Sequence, residues 1–186
     1  GGVIGHHPEP IEVLLGQLTD EGARRVPHVT VPVLFGGDPG PGGAEDKAAP
    51  GASGKLTIER RASGPSGLHP NPASMSFLQT DSAMVEAIRN AWAASRMVGS
   101  HTCLLWSLRL DTPSSDPVDS VGGGSLGGAF AVALDELASG TGRLRSFANR
   151  FTLDPHTAVS AAVDDTGRLH EVKGLSDKIA AAHRAG

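Results

Sequence analysis

Ser125 stands in VGGGSLGGAFAVALDELASG, residues 121–140, where a glycine cluster gives way to an apolar, alanine-rich pattern. A serine hydroxyl is a weak nucleophile until a base takes its proton. Histidine is the usual base, but a lysine serves when its surroundings keep it neutral, because burial disfavours the ammonium form. Such a lysine belongs among small apolar residues, with no carboxylate clamped to it. Of Lys47, Lys55, Lys173 and Lys178, only Lys178 is followed by IAAAHRAG, on the first turn of a helix; Lys47 lies in a glycine- and proline-rich loop and Lys55 begins a strand.

The same stretch admits other chemistry. GGGSLGG has the composition of a linker, although linkers do not usually run straight into an amphipathic helix. Glycines before a helix N-terminus also expose backbone N–H groups to an anion, and GGGSLGGAF loosely resembles the glycine-rich loop of the GHMP small-molecule kinases. A phosphate-loop match at APGASGKLT fails, with Ala49 for its first glycine and Leu56 for its hydroxyl residue. Gly123-x-Ser125-x-Gly127 satisfies the nucleophile-elbow pattern, yet a proline- and serine-rich loop, not a strand, leads into the serine. The plainest reading makes Ser125 an N-cap and Lys178 an exposed helix residue.

The elements that must position these residues read as an α+β domain. HVTVPVLF (28–35) is strand-like, with Pro32 marking an edge or bulge, and KLTIERR (55–61) alternates as a strand does. IEVLLGQLTDEGARRV (11–26) has an irregular period, fitting a short helix or strand. GGDPGPGGAEDKAAPGASG (36–54) and SGPSGLHPNPAS (63–74) read as loops. A helix is predicted over 80–98, capped by Thr80, with Met84, Ala87, Ile88, Ala91, Trp92 and Val98 on one face. CLLWSLRL (103–110) reads as a buried strand, which makes Cys103 a core thiol. After Ser125, Leu126, Ala129, Phe130, Ala133, Leu134 and Leu137 fall at helical spacing. Apolar stretches 157–163 and 168–172 flank the turn signature DDTG, and LSDKIAAAHRAG starts a helix with Ser176 as its cap. The predicted order is β-β-α-β-α-β-β-α.

Bulk properties narrow the partners. The 186 residues suffice for one domain with a proper core, and a net charge of −4 with no basic stripe argues against nucleic acid. A single cysteine excludes an internal disulfide and any multi-cysteine metal site. No stretch has the length of a membrane span and the N-terminus shows no signal-peptide pattern, so a soluble cytoplasmic protein without a membrane partner is expected.

VKGLSDKIAAAHRAG resembles the end of the proteolytic domain of Lon proteases, where G-G-L-x-x-K-x-x-A-A-H-R-A-G carries the catalytic lysine. Gly174, Leu175, Lys178, Ala181, Ala182, His183, Arg184, Ala185 and Gly186 fit it. GGGSLGGAFAVAL is similar to the family's serine motif, G-P-S-A-G followed by a small-residue helix, at Gly123, Ser125 and Gly127. GKLTIERRASG resembles a strand of the same domain. The similarity spans roughly residues 54–186 and is strongest at the C-terminal end. Departures are Gly124 for the family's proline, Gly122 for an acidic residue often found before the motif, and Ala161 and Ala162 for the glycine and glutamate after a threonine that Ser160 replaces.

The resemblance implies a Lon-like (ribosomal S5 domain 2-like) fold over 54–186, preceded by a 1–53 extension carrying strand and a glycine- and proline-rich loop. It implies a serine endopeptidase in which Ser125 attacks, Lys178 takes the proton and Ser160 orients the amine. Backbone N–H groups around Gly123, Gly124, Ser125 and Leu126 would form the oxyanion and substrate loop, and an extended peptide would pair with a strand edge. His183 and Arg184 would cap or solvate the helix end. No cofactor or metal is expected in this chain, ATP entering only through a separate ATPase domain or partner; a homo-oligomer or a regulatory partner is compatible with the family. The family continues into another strand where this sequence stops, as in a fragment or processed chain. An inactive Lon-like interaction module and a GHMP-type kinase are the alternatives.

Overall fold

The computed structural model describes residues 27–36, 51–111, 120–140, 154 and 156–185. The 11–26 stretch, Lys47 with the rest of 37–50, and 112–119 lie outside the described residues.

Period-two alternation in three segments builds the main sheet. Strands β1 (His28–Phe35), β2 (Ala52–Arg61) and β5 (Cys103–Leu110) bury Val31 and Val33, Leu56 and Ile58, and Leu104, Trp106 and Leu108, respectively. The sheet runs β1-β2-β5-β3, antiparallel except where β3 (Gly67–Pro70) joins β5 in parallel. Register places Val31 beside Leu56, Leu56 beside Leu108 and Ile58 beside Trp106, so the apolar side chains stack across the strands. Pro32, which has no N–H to offer a ladder, sits on edge strand β1.

A short helix, α1 (Pro72–Met75), follows β3. The sequence predicts loop for both, because glycine and proline dominate 63–74. Parallel pairing with β5 overrides that local preference, with Leu68 opposite Leu104.

Two helices contribute side chains to the same core. Helix α2 (Ser82–Ala94) buries Met84, Ala87 and Ala91. Asp81, not Thr80, is its N-cap, accepting from the Met84 amide at 2.7 Å. The helix ends at Ala94, so Val98 leaves the predicted face and is 55% exposed. Helix α3 (Gly127–Gly140), introduced by a 3₁₀ turn over Gly124–Leu126, buries Ala129, Phe130, Ala133, Leu134 and Leu137 together with Leu126. It packs on β1 and β2, with α2 against its flank. Phe130 meets Trp106 edge-to-face at 5.5 Å, joining helix and sheet at the centre of the core. Truncating such a buried aromatic costs about 3–5 kcal/mol.

Smaller pieces complete an α+β architecture. Strands β4 (Gln79–Thr80) and β6 (Ser120–Val121) form a parallel pair, and β7 (Ala162–Val163) and β8 (Leu169–His170) an antiparallel one. Helix α4 (Leu175–Ala185) packs against β1 and β2. It begins one residue ahead of Ser176, which is therefore inside its first turn and not its cap. No helix among the described residues is long and apolar enough to cross a membrane.

Candidate functional site

Three segments carry the candidate residues. The first carries Ser125. Pairing of β4 with β6 sets Thr80 beside Val121, which brings the N-cap of α2 alongside the glycine cluster. Gly123 has φ +83, a left-handed conformation that favours glycine, and turns the chain into the 3₁₀ turn. Ser125 is the middle residue of that turn and half-buried. Gly123 occupies the cap position and the turn has no side-chain cap, so Ser125 is not an N-cap.

The second segment, 159–163, is laid directly on the start of α3. The Ala161 amide donates to the Ser125 carbonyl at 3.1 Å, and the Gly128 amide donates to the Ala161 carbonyl at 2.8 Å. Glycine is needed for this approach: a Cβ on Gly127 would lie 2.9 Å from Val163 Cγ1, and one on Gly128 would lie 3.0 Å from the Ala161 Cβ. Ser160 precedes this contact. Its hydroxyl is buried and makes no hydrogen bond among the described residues, an arrangement that costs about 1–3 kcal/mol when nothing compensates it.

The third segment is α4. Val159 bridges Val33 in parallel, and its amide donates to the Pro32 carbonyl at 3.1 Å. A parallel bridge means that the chain from Val159 onward advances with β1 from Val33 toward Gly36. At Gly36 the stem of Lys178 passes close by, its Cε 3.8 Å from where a Cβ would stand. Segment 159–163 is thus tied to β1 at Val33 and to the Ser125 turn through Ala161, while the stem of Lys178 lies beside Gly36, just past the end of β1.

Lys178 is 3% exposed, unlike a solvated helix lysine. Among the described residues no carboxylate pairs with it, and burial lowers its pKa from the ordinary lysine value. Asp177 is exposed on another side of the helix. Lys55, by contrast, lies within β2 and reaches Asp111 at 3.8 Å, while Lys173 is exposed. Among the described residues no carboxylate stabilises the charged form of this amine.

The N–H groups of the turn are unequally occupied. Gly123 donates to the Asp81 carboxylate, Gly127 to the Gly124 carbonyl and Gly128 to Ala161. Leu126 contributes its side chain to the core. Gly124 has room, since a Cβ there would stand 3.7 Å from that of Ala162.

Two residues act differently from their sequence reading. Arg184 does not simply solvate the end of α4: its guanidinium donates to the Gly51 carbonyl and ties the helix to the start of β2, while His183 is exposed. Asp81, absent from the sequence-based candidates, reaches from α2 to the serine loop 42 residues away. Only its neighbourhood to a predicted helix start, as an alternative cap to Thr80, could have drawn attention to it. Among the described residues no cluster of histidine, cysteine or acidic side chains could hold a metal ion. Compared with known proteins, the chain matches no family model and no curated sequence.

Proposed function

We propose that the chain is a serine endopeptidase of the Lon type, with Ser125 as nucleophile and Lys178 as base. The observation that carries this reading is Lys178 itself, buried, free of any carboxylate partner among the described residues and shifted toward its neutral form by burial. The unpartnered Ser160 hydroxyl supports it, since an orienting group needs an acceptor or donor to spare.

In this mechanism Ser125 Oγ attacks the peptide carbonyl carbon as Lys178 Nζ takes its proton. The oxyanion is stabilised by turn amides ahead of Gly127, chiefly those of Gly124, Ser125 and Leu126, because Gly123 already donates to Asp81. The lysine ammonium then gives its proton to the departing amine, leaving an acyl-serine. Water, activated by the same lysine, hydrolyses that ester and restores Ser125. Ser160 holds the amine toward Ser125. The Lon-like fold over 54–186, a cytoplasmic setting, and any ATP-driven unfolding by a separate domain or partner belong to the same proposal.

Hydrolysis of an unfolded protein such as casein tests it. Ser125→Ala and Lys178→Ala are each expected to lower the rate by about 10³-fold or more, with the double variant no worse, because the two act as one unit. Substantial cleavage by purified Ser125→Ala overturns the assignment. A folded wild type that cleaves nothing favours the inactive interaction module.

A further inference from the structure

We infer that Asp81 is a positioning residue for the nucleophile loop, an inference that rests on the Ser125 assignment. Its carboxylate does two tasks at once. Oδ1 accepts from the Met84 amide at 2.7 Å, closing the first turn of α2, and the Gly123 amide donates to Oδ1 at 3.1 Å and Oδ2 at 2.9 Å. The helix behind it is anchored by buried Met84, Ala87 and Ala91, so the carboxylate has a fixed base. It is therefore a strut between the rigid N-terminus of α2 and a backbone amide two residues before Ser125.

Two further features fit the strut. The parallel pairing of Thr80 with Val121 delivers Asp81 to the loop through the backbone. At Gly122 a Cβ would lie 2.7 Å from Asp81 Oδ2, so the carboxylate occupies the space that any side chain at 122 would claim. The carboxylate and the missing side chain are thus complementary. Gly123, in its left-handed conformation, has few backbone alternatives once its N–H is held. The strut fixes where the 3₁₀ turn begins and with it the place of Ser125 Oγ.

The charge is used as well as the shape. A carboxylate accepting from two backbone N–H groups at the head of a helix sits in the favourable field of that helix. Asp81 touches neither the attacking oxygen nor the base; it acts through Gly123.

Asp81→Ser separates the two tasks. Serine remains a good N-cap but is too short to reach Gly123 as well. Asp81→Asn keeps the cap and the Oδ1 acceptor, to which Gly123 also donates at 3.1 Å, and loses only Oδ2, so its effect should be the smaller. In Asp81→Ser kcat is expected to fall about 10–100-fold, the scale of a displacement of roughly 1 Å, with KM unchanged and the thermal midpoint within about 2 °C of the parent. Hydrogen exchange at the Gly123 amide should quicken, and Gly122→Ala should reproduce both effects. Unchanged kcat or unchanged Gly123 exchange in Asp81→Ser overturns the inference. If instead the wild type neither cleaves casein nor forms an adduct at Ser125 with a peptide boronate, the nucleophile assignment fails, and Gly123 exchange alone decides whether the strut exists.

Discussion

At the tip of the β7–β8 hairpin, the Asp164 carboxylate accepts from the Thr166 hydroxyl (2.6 Å), the Thr166 amide (2.9 Å) and the Arg168 amide (3.0 Å), and lies 2.8 Å from His170 Nε2. The Thr166 hydroxyl foremost, with His170 and the Arg168 amide, holds this carboxyl well below the usual carboxylate range. At the root of the same hairpin, the Ser160 hydroxyl is buried and makes no hydrogen bond among the described residues, and on α4 Lys178 is buried with no carboxylate partner among them. The tip lies in water and satisfies its polar groups locally. The Ser160 hydroxyl and Lys178 are out of water, with no such partners among the described residues. A polar group at the surface with all its partners closes a turn; one buried without partners is a cost that folding alone has no reason to bear.

Lys178→Met breaks the contrast most severely. Hydrolysis should fall by about 10³-fold or more, while the thermal midpoint should rise, since an unbalanced buried amine is replaced by an apolar side chain of similar length. The sign follows from the lowered pKa of Lys178 in the folded state. Below that value both folded and unfolded chains carry the charge, and the folded one bears the full burial penalty. As pH climbs from there toward the unfolded value of about 10.4 the penalty disappears. The stability advantage of Lys178→Met should therefore shrink with rising pH, and wild-type activity should rise over the range in which Lys178 loses its proton. Calorimetry and a pH–rate profile check the two halves; a destabilised Lys178→Met would place the amine in a structural role.

Ser160→Ala is a smaller perturbation. It should slow hydrolysis about tenfold to a hundredfold and move the pH–rate profile, yet leave stability equal or slightly greater, because a buried hydroxyl without a partner is removed. An unchanged rate and profile would remove Ser160 from the site. Asp164→Ala sharpens the comparison from the other side, with the smallest effect on activity: none. Its thermal midpoint should drop modestly at neutral pH. The drop should vanish in acid, because a carboxyl with a lowered folded-state pKa contributes its stability above the unfolded value and loses it as pH falls through the folded one. Differential scanning at pH 7 and in acid measures this.

The sequence disclosed what is periodic and local. CLLWSLRL alternates strongly enough to identify β5, and the spacing of Leu126, Ala129, Phe130, Ala133, Leu134 and Leu137 marks the buried face of α3. For Lys178 the alanine-rich IAAAHRAG suggested an apolar setting, but what buries the lysine is the docking of α4 on β1 and β2, which the sequence does not display. What escaped depends on partners far along the chain. Strand β3 has loop composition and exists only beside β5, and the two-residue strands β4 and β6 have no pattern to detect. Asp81 looked like any residue near a helix start; its second task appears only once Gly123 is folded against it.

Lys178 has one more consequence, which concerns time. Burial lowers the pKa of its amine only when α4 has docked on β1 and β2, to which Arg184 adds a bond to Gly51. Among the described elements α4 comes last in the chain, and its contacts are with the first strands. A growing or partly unfolded chain keeps this lysine hydrated and protonated, so on the proposed mechanism it has no base and cannot cut. On that mechanism the fold would be its own safety catch: completion of the tertiary structure would arm the nucleophile, and a molecule that lost that structure would disarm itself before it could digest its neighbours.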